Sequence, residues 1–224
     1  MELFKANDIH YITQTRIPIL KGVSFDIKKG QTFRFDGKSG SGKSTLMKIT
    51  AGIIVPSSGK IAFEGKDIHG MSDRQNRAFR KRMAFIFQDS ALWANQNIMQ
   101  NLSLPLQIHA PQMSPQERLE EIRNICHVVN YERSLELRPA DLSMGEQKKV
   151  AFARALVLRP EILFLDEATE SLDVKAVKNV MDILHNFVEA GNTMIYISHN
   201  QGFVNEFPGV KVKLKEGLID EIQD

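Results

Sequence analysis

A chain of 224 residues, 42% hydrophobic and 25% charged, has the composition of an ordinary globular protein long enough to bury a continuous core. Its 29 basic and 27 acidic side chains leave a formal charge of +2. That balance excludes the strong basic surplus of a nucleic-acid-binding domain, and no stretch approaches the ~20 apolar residues of a membrane-spanning helix. The lone Cys126 excludes an intramolecular disulfide and stands at helical spacing among Ile122, Ile125 and Val129, where core packing is expected. Met1 to Lys5 lack the apolar centre of a secretory signal, so any work at a membrane needs a partner to supply the membrane part.

The first third reads as short strands. Val23 to Ile27 alternate apolar and polar, Lys29-Gly30 makes a turn, and Thr32 to Phe35 lead into a glycine-rich stretch from Gly37 to Gly42. Leu46, Ile49 and Ile53 follow at helical spacing until glycines from Gly52 to Gly59 break the pattern. Arg74, Arg77, Arg80, Lys81 and Arg82 form a basic cluster, expected as a solvated helix face or loop. Met83 to Phe87 make a short buried strand.

Further along, Ser114-Pro115-Gln116-Glu117 supplies an N-cap, a proline at the first helical position and a capping-box glutamate. Leu119, Ile122, Ile125 and Val129 then line one face. Ile162 to Leu165 form a buried strand, Val174 to Ala190 a helix stopped by Gly191, and Thr193 to Ser198 another strand. Such alternation implies an α/β fold with a mostly parallel sheet covered on both faces, carrying a helical insert.

Gly37-Lys38-Ser39-Gly40-Ser41-Gly42-Lys43-Ser44-Thr45 has the full P-loop spacing, with a strand before it and a periodic helix after it. Its glycines let backbone amides curl round a polyphosphate at a helix N-terminus. Lys43 is placed to reach the β- and γ-phosphates of ATP, and Ser44 to ligate Mg²⁺. Leu163-Phe164-Leu165-Asp166-Glu167 is a strand ending in two carboxylates: Asp166 suits the Mg²⁺ shell, and Glu167 suits a general base for the attacking water.

Leu142-Ser143-Met144-Gly145-Glu146-Gln147, running into Val150 to Leu156, resembles the signature of the ABC (ATP-binding cassette) ATPases, usually Leu-Ser-Gly-Gly-Gln before an alanine-rich basic helix. Gln88 resembles the family's Q-loop, Ser171-Leu172-Asp173 its D-loop, and Ile197-Ser198-His199 its switch histidine. The resemblance runs from Tyr11 to the strand pattern near Val212-Leu214 and Gly217. It implies a P-loop fold of ABC type over residues 1–224, with N-terminal antiparallel strands and a helical subdomain near 90–158. It also implies that Tyr11 stacks on adenine, that Gln88 contacts the Mg²⁺, and that Lys43, Glu167 and His199 serve hydrolysis. Ser143, Gly145 and Glu146 would bind the γ-phosphate held by a second copy or a related cassette, with Asp173 at the dimer contact.

The expected partner is a transmembrane permease, received in part by Asp89 to Leu106, including Trp93, with this chain peripheral at the cytoplasmic face of the cell membrane; no nucleic acid is expected. Gln88 to Trp93, with Asn97, Asn101-Leu102 and Leu104-Pro105-Leu106, resembles cassettes of phospholipid-trafficking transporters. The short length resembles the lipoprotein-release and macrolide-export group. The alternatives are a soluble ABC ATPase of DNA or ribosomes, and a regulatory module that barely hydrolyses ATP. Met144, Glu146, Ala168, Glu170 and Asn200 depart from the family pattern, and Glu146 adds a negative charge near a polyphosphate.

Overall fold

The computed structural model describes residues 1–170, 172 and 174–223, without the side chain of Lys175. Two sheets form its centre. In the first, β2 (Pro18–Lys28), β1 (Glu2–Ile12), β4 (Ser58–Phe63) and β5 (Lys66–Asp67) lie side by side and antiparallel. The second runs β10 (Leu218–Gln223), β9 (Val210–Lys215), β3 (Thr32–Asp36), β8 (Thr193–Ile197), β7 (Ile162–Asp166) and β6 (Met83–Ile86). Only β10 is antiparallel to its neighbour there.

Strand alternation divides the core in two. Ile162 and Phe164 of β7, Ile195 and Ile197 of β8, and Phe33 and Phe35 of β3 face the first sheet, where Phe25 meets Phe33 and Phe35 at ring separations of 5.7 and 5.4 Å. Leu163, Leu165, Met194 and Tyr196 face the opposite way, into the helices. Both sides of β7 and β8 are thus covered, which is why these strands read as unbroken apolar runs.

The helices are α1 (Lys43–Thr50), α2 (Asp73–Arg82), α3 (Ile98–His109), α4 (Pro115–Val128), α5 (Met144–Leu156), α6 (Val174–Glu189) and α7 (Gln201–Glu206). Reciprocal capping boxes start α2 (Ser72 with Gln75), α3 (Asn97 with Gln100), α4 (Ser114 with Glu117) and α5 (Ser143 with Glu146). Helices α3, α4 and α5 pack on one another, with Cys126 buried among them. Helix α1 ends at Thr50, and Gly52 turns left-handed at φ 65, so Ile53 lies exposed beyond the helix it was expected to extend.

Part of the basic cluster is structural. Arg80 donates to the Ala51 and Gly52 carbonyls at 2.9 and 2.6 Å, capping the end of α1. Arg82 forks onto Glu64 at 2.9 and 2.7 Å and onto Glu161 at 3.2 and 3.1 Å, with its guanidinium 4.9 Å from the Phe63 ring. The Arg82 hydrogen bond holds the Glu64 carboxyl below its ordinary value of 4.5. A depressed carboxylate contributes stability above its unfolded pKa and loses it as pH falls through the folded one. Arg82→Met is expected to cost about 1–2 kcal/mol at neutral pH, allowing for solvent screening of a partly exposed pair. It should also flatten the fall in stability below pH 4.5, as read by urea unfolding across pH. An unchanged acid limb would remove Glu64 from this role.

Candidate active site

Strands β3, β8, β7 and β6 lie adjacent and parallel, so their C-terminal ends meet along one edge, where α/β sites form. That edge gathers segments distant in sequence. After β3 comes the 37–45 loop, after β6 Gln88, after β7 Glu167 to Glu170, and after β8 His199 and Asn200. Together they line a cleft of about 620 Å³.

Gly37 and Gly42 of the loop are held to glycine by both backbone angle and space. Gly37 has φ 136, and a Cβ there would stand 2.2 Å from the Leu214 carbonyl. Gly42 has φ 102, and a Cβ would come 2.9 Å from Leu20 Cδ2. Gly42 is also the N-cap of α1 and, having no side chain, leaves the first amides of that helix free for an anion. The Lys43 ammonium, only 7% exposed as a residue, donates to the carbonyls of Gly37 and Lys38 at 2.7 and 3.0 Å. Burial lowers its pKa against the pull of Glu167, Asp36 and Asp166.

Ser44 Oγ donates to Asp166 Oδ1 at 3.2 Å, bringing together two hard oxygen atoms at the end of β7. Burial raises the Asp166 pKa, with Ser44 and nearby lysines opposing. Burial likewise raises Glu167, whose backbone stands left-handed at φ 50, a conformation that concentrates at functional sites. Glu167 Oε2 accepts from the His199 amide at 3.3 Å, and its Oε1 lies 3.4 Å from His199 Nε2. Gln88 Nε2 donates to Glu170 Oε2 at 2.8 Å.

Ser39, Gly40, Gly42, Lys43, Ser44, Thr45, Gln88, Asp166, Glu167 and His199 thus come together as expected from the sequence. Gly37, Lys38 and Ser41 instead line a cavity of about 420 Å³ behind the loop, bounded by β9 and β10. Tyr11 is not among the cleft residues: it lies on β1, between β2 and β4, with its ring partly buried against the aromatic core. Ile19, Thr169, Glu170 and Asn200 were not singled out as site residues and line the cleft. Glu170 and Asn200 had a sequence signal in their departure from the family pattern, whereas Ile19 and Thr169 had none. Asp173 lies outside the described residues.

Ser143, Gly145 and Glu146 are absent from the cleft lining. Ser143 caps α5, and Glu146 accepts from its amide and hydroxyl at 2.8 and 2.9 Å. Those bonds hold the Glu146 carboxyl below its usual range, and Arg133 donates to its other oxygen at 3.0 Å. The extra charge at the signature is therefore partnered within the chain. Met144 stands exposed at the first turn.

The ABC transporter family model matches residues 20–170. The chain belongs to that family. The arginine/ornithine transport ATP-binding protein AotP of Pseudomonas aeruginosa is 32% identical over 213 residues, spanning 91% of this chain and 84% of that protein. The lipoprotein-releasing system ATP-binding protein LolD of Buchnera aphidicola is 34% identical over 211 residues, spanning 93% and 91%. A solved structure, the dimeric post-hydrolysis state of the ATP-binding cassette MJ0796 bound to ADP and Pi, is similar at TM-score 0.89 and 28% identity. That likeness covers 99% of this chain and 98% of that one. This ABC protein is an ATP-binding subunit and an ATPase, and among its described residues no helix is long and apolar enough to cross a membrane.

Proposed function

We propose that this ABC ATPase is the motor of a membrane transporter, working as a head-to-tail pair with a second copy or a related cassette. It would sit at the cytoplasmic face of the membrane and drive a separate permease. The carrying observation is that one cleft gathers the P-loop, Gln88, Asp166, Glu167 and His199, while the capped α5 terminus at Ser143 stands outside it. A phosphate-binding terminus that its own cleft does not use suits the nucleotide of a partner. The dimeric MJ0796 cassette supports that arrangement.

In this reading the loop amides and Lys43 hold the ATP phosphates, with Tyr11 toward the adenine. Ser44 Oγ, Asp166 and Gln88 would hold Mg²⁺, a hard cation matched by their oxygen donors. Bound there, the ion neutralises charge on the phosphates. Glu167 orients the water and takes its proton, and His199 steadies the phosphoryl group, while Ser143 and Gly145 of the partner close over it. Catalysis is then mostly positioning and electrostatics.

The permease contact falls on the helices within 90–158 of a single 1–224 cassette, with Asp173 at the dimer contact. A groove of about 590 Å³ there, lined by Trp93, Gln96, Met99, Gln100, Leu104 and Gln107, mixes apolar and amide groups as a docked helix requires. A lipid or lipophilic cargo extends this proposal on the pattern from Gln88 to Trp93. Relatives named for arginine/ornithine transport and for lipoprotein release match at 32% and 34%, and the second of these names is in keeping with a lipophilic cargo.

The test is affinity capture of the protein from detergent-solubilised native membranes. A stoichiometric multi-span membrane protein is the expected companion, and lipid-handling subunits beside it would support the cargo. Capture with nucleic acid or a soluble complex, and no permease, would overturn the transport reading.

A further inference from the structure

The main chain around Gln88 is stapled to α5. Lys148, only 2% exposed, donates from Nζ to the carbonyls of Phe87 and Gln88 at 3.2 and 2.6 Å. Two residues on, Ser90 and Ala91 turn left-handed at φ 63 and 46, and Arg154 donates to their carbonyls at 3.0 and 2.9 Å. The Arg154 guanidinium also lies 5.1 Å from the Trp93 ring. With its backbone held at these points, the freedom left to Gln88 is that of its side chain.

One contact restricts that side chain. An ionised carboxylate accepts and cannot donate, so the amide atom facing Glu170 has to be the NH₂ group. Nε2 donates to Glu170 Oε2 at 2.8 Å, and the amide oxygen is thereby the atom left for the cleft. Without such a partner, either amide atom can be turned toward the cleft.

We propose that Glu170 is a positioning residue for Gln88, fixing the amide so that its oxygen is the atom offered to the nucleotide-bound cation. This rests on the reading above of Gln88 as a cation ligand. Glu170 does not touch the reacting atoms. It lowers the ordering cost of a ligand whose backbone Lys148 and Arg154 have already placed.

The test uses the full chain and a fluorescent N-methylanthraniloyl-ATP probe, titrated with Mg²⁺ to read its binding. Glu170→Met, similar in size but unable to accept a strong hydrogen bond, should raise the Mg²⁺ midpoint by about threefold to tenfold. Probe affinity in EDTA should not weaken, because losing a carboxylate from the cleft lining favours a polyphosphate. Glu170→Gln, whose amide oxygen can still accept from Nε2 but whose NH₂ can also donate to the Gln88 oxygen, should recover part of the midpoint, falling between Glu170→Met and wild type. A wild-type midpoint in Glu170→Met would overturn the proposal, as would a Glu170→Gln as impaired as Glu170→Met. Gln88→Ala separates the two readings: a wild-type midpoint there would remove Gln88 from the cation altogether. A shifted Gln88→Ala beside an unshifted Glu170→Met would sink the positioning role alone.

Discussion

Glu167→Gln is expected to lower ATP turnover by about 10²–10⁴-fold while leaving ATP bound, the usual range for losing a positioned general base. The side chain is 16% exposed, and its pKa is raised by burial, so it is a stronger base than a solvated carboxylate. His199, through its amide and its charge, limits the rise. Glutamine has nearly the same shape and can still accept the His199 amide hydrogen bond that Glu167 receives at 3.3 Å. Structure and binding should therefore survive while proton abstraction is lost. Single-turnover hydrolysis measured beside nucleotide affinity checks this, and wild-type turnover in the variant would sink Glu167 as the base.

Lys43→Met should weaken ATP binding at least about 100-fold, the scale of roughly 3 kcal/mol for a charge-assisted contact in a partly desolvated site. Nζ now lies against the Gly37 and Lys38 carbonyls, and a polyphosphate in the loop would offer it a stronger acceptor. Methionine keeps much of the stem that packs under the loop while removing the charge. Isothermal titration with ATP, paired with a melting curve, separates the effects. A melting midpoint within a few degrees of wild type with ATP affinity lost is the expected result. Affinity within threefold of wild type would mean that the loop amides bind the phosphates without Lys43.

Several elements were legible because their signals are local. The caps at Ser114 and Ser143 depend on residues three apart, and both form as read. The apolar runs at 162–165 and 193–198 became β7 and β8 because strands covered on both faces carry no polar alternation. Helix α3 was less legible. It contains Pro105, which ordinarily argues against a helix interior, and packing against α4 and α5 holds it. The arginines of α2 carried no sign of which were structural, since Ala51, Gly52, Glu64 and Glu161 lie 18 to 79 residues away from them.

What the sequence by itself determined is the set of chemical parts: a glycine loop able to take left-handed φ, a strand ending in two carboxylates, and a capped helix after Leu142. Each is a short-range property of backbone and adjacent side chains. Only the tertiary structure decided which parts meet. The parallel order of β3, β8, β7 and β6 brings residues 37–45, 88, 166–170 and 199–200 to one edge, and the same packing leaves Ser143 off that cleft. It also decided that Tyr11 packs partly buried against the core and that Glu170 reaches Gln88 across 82 positions of chain. Contacts of that span follow from strand order and burial, which no local pattern encodes.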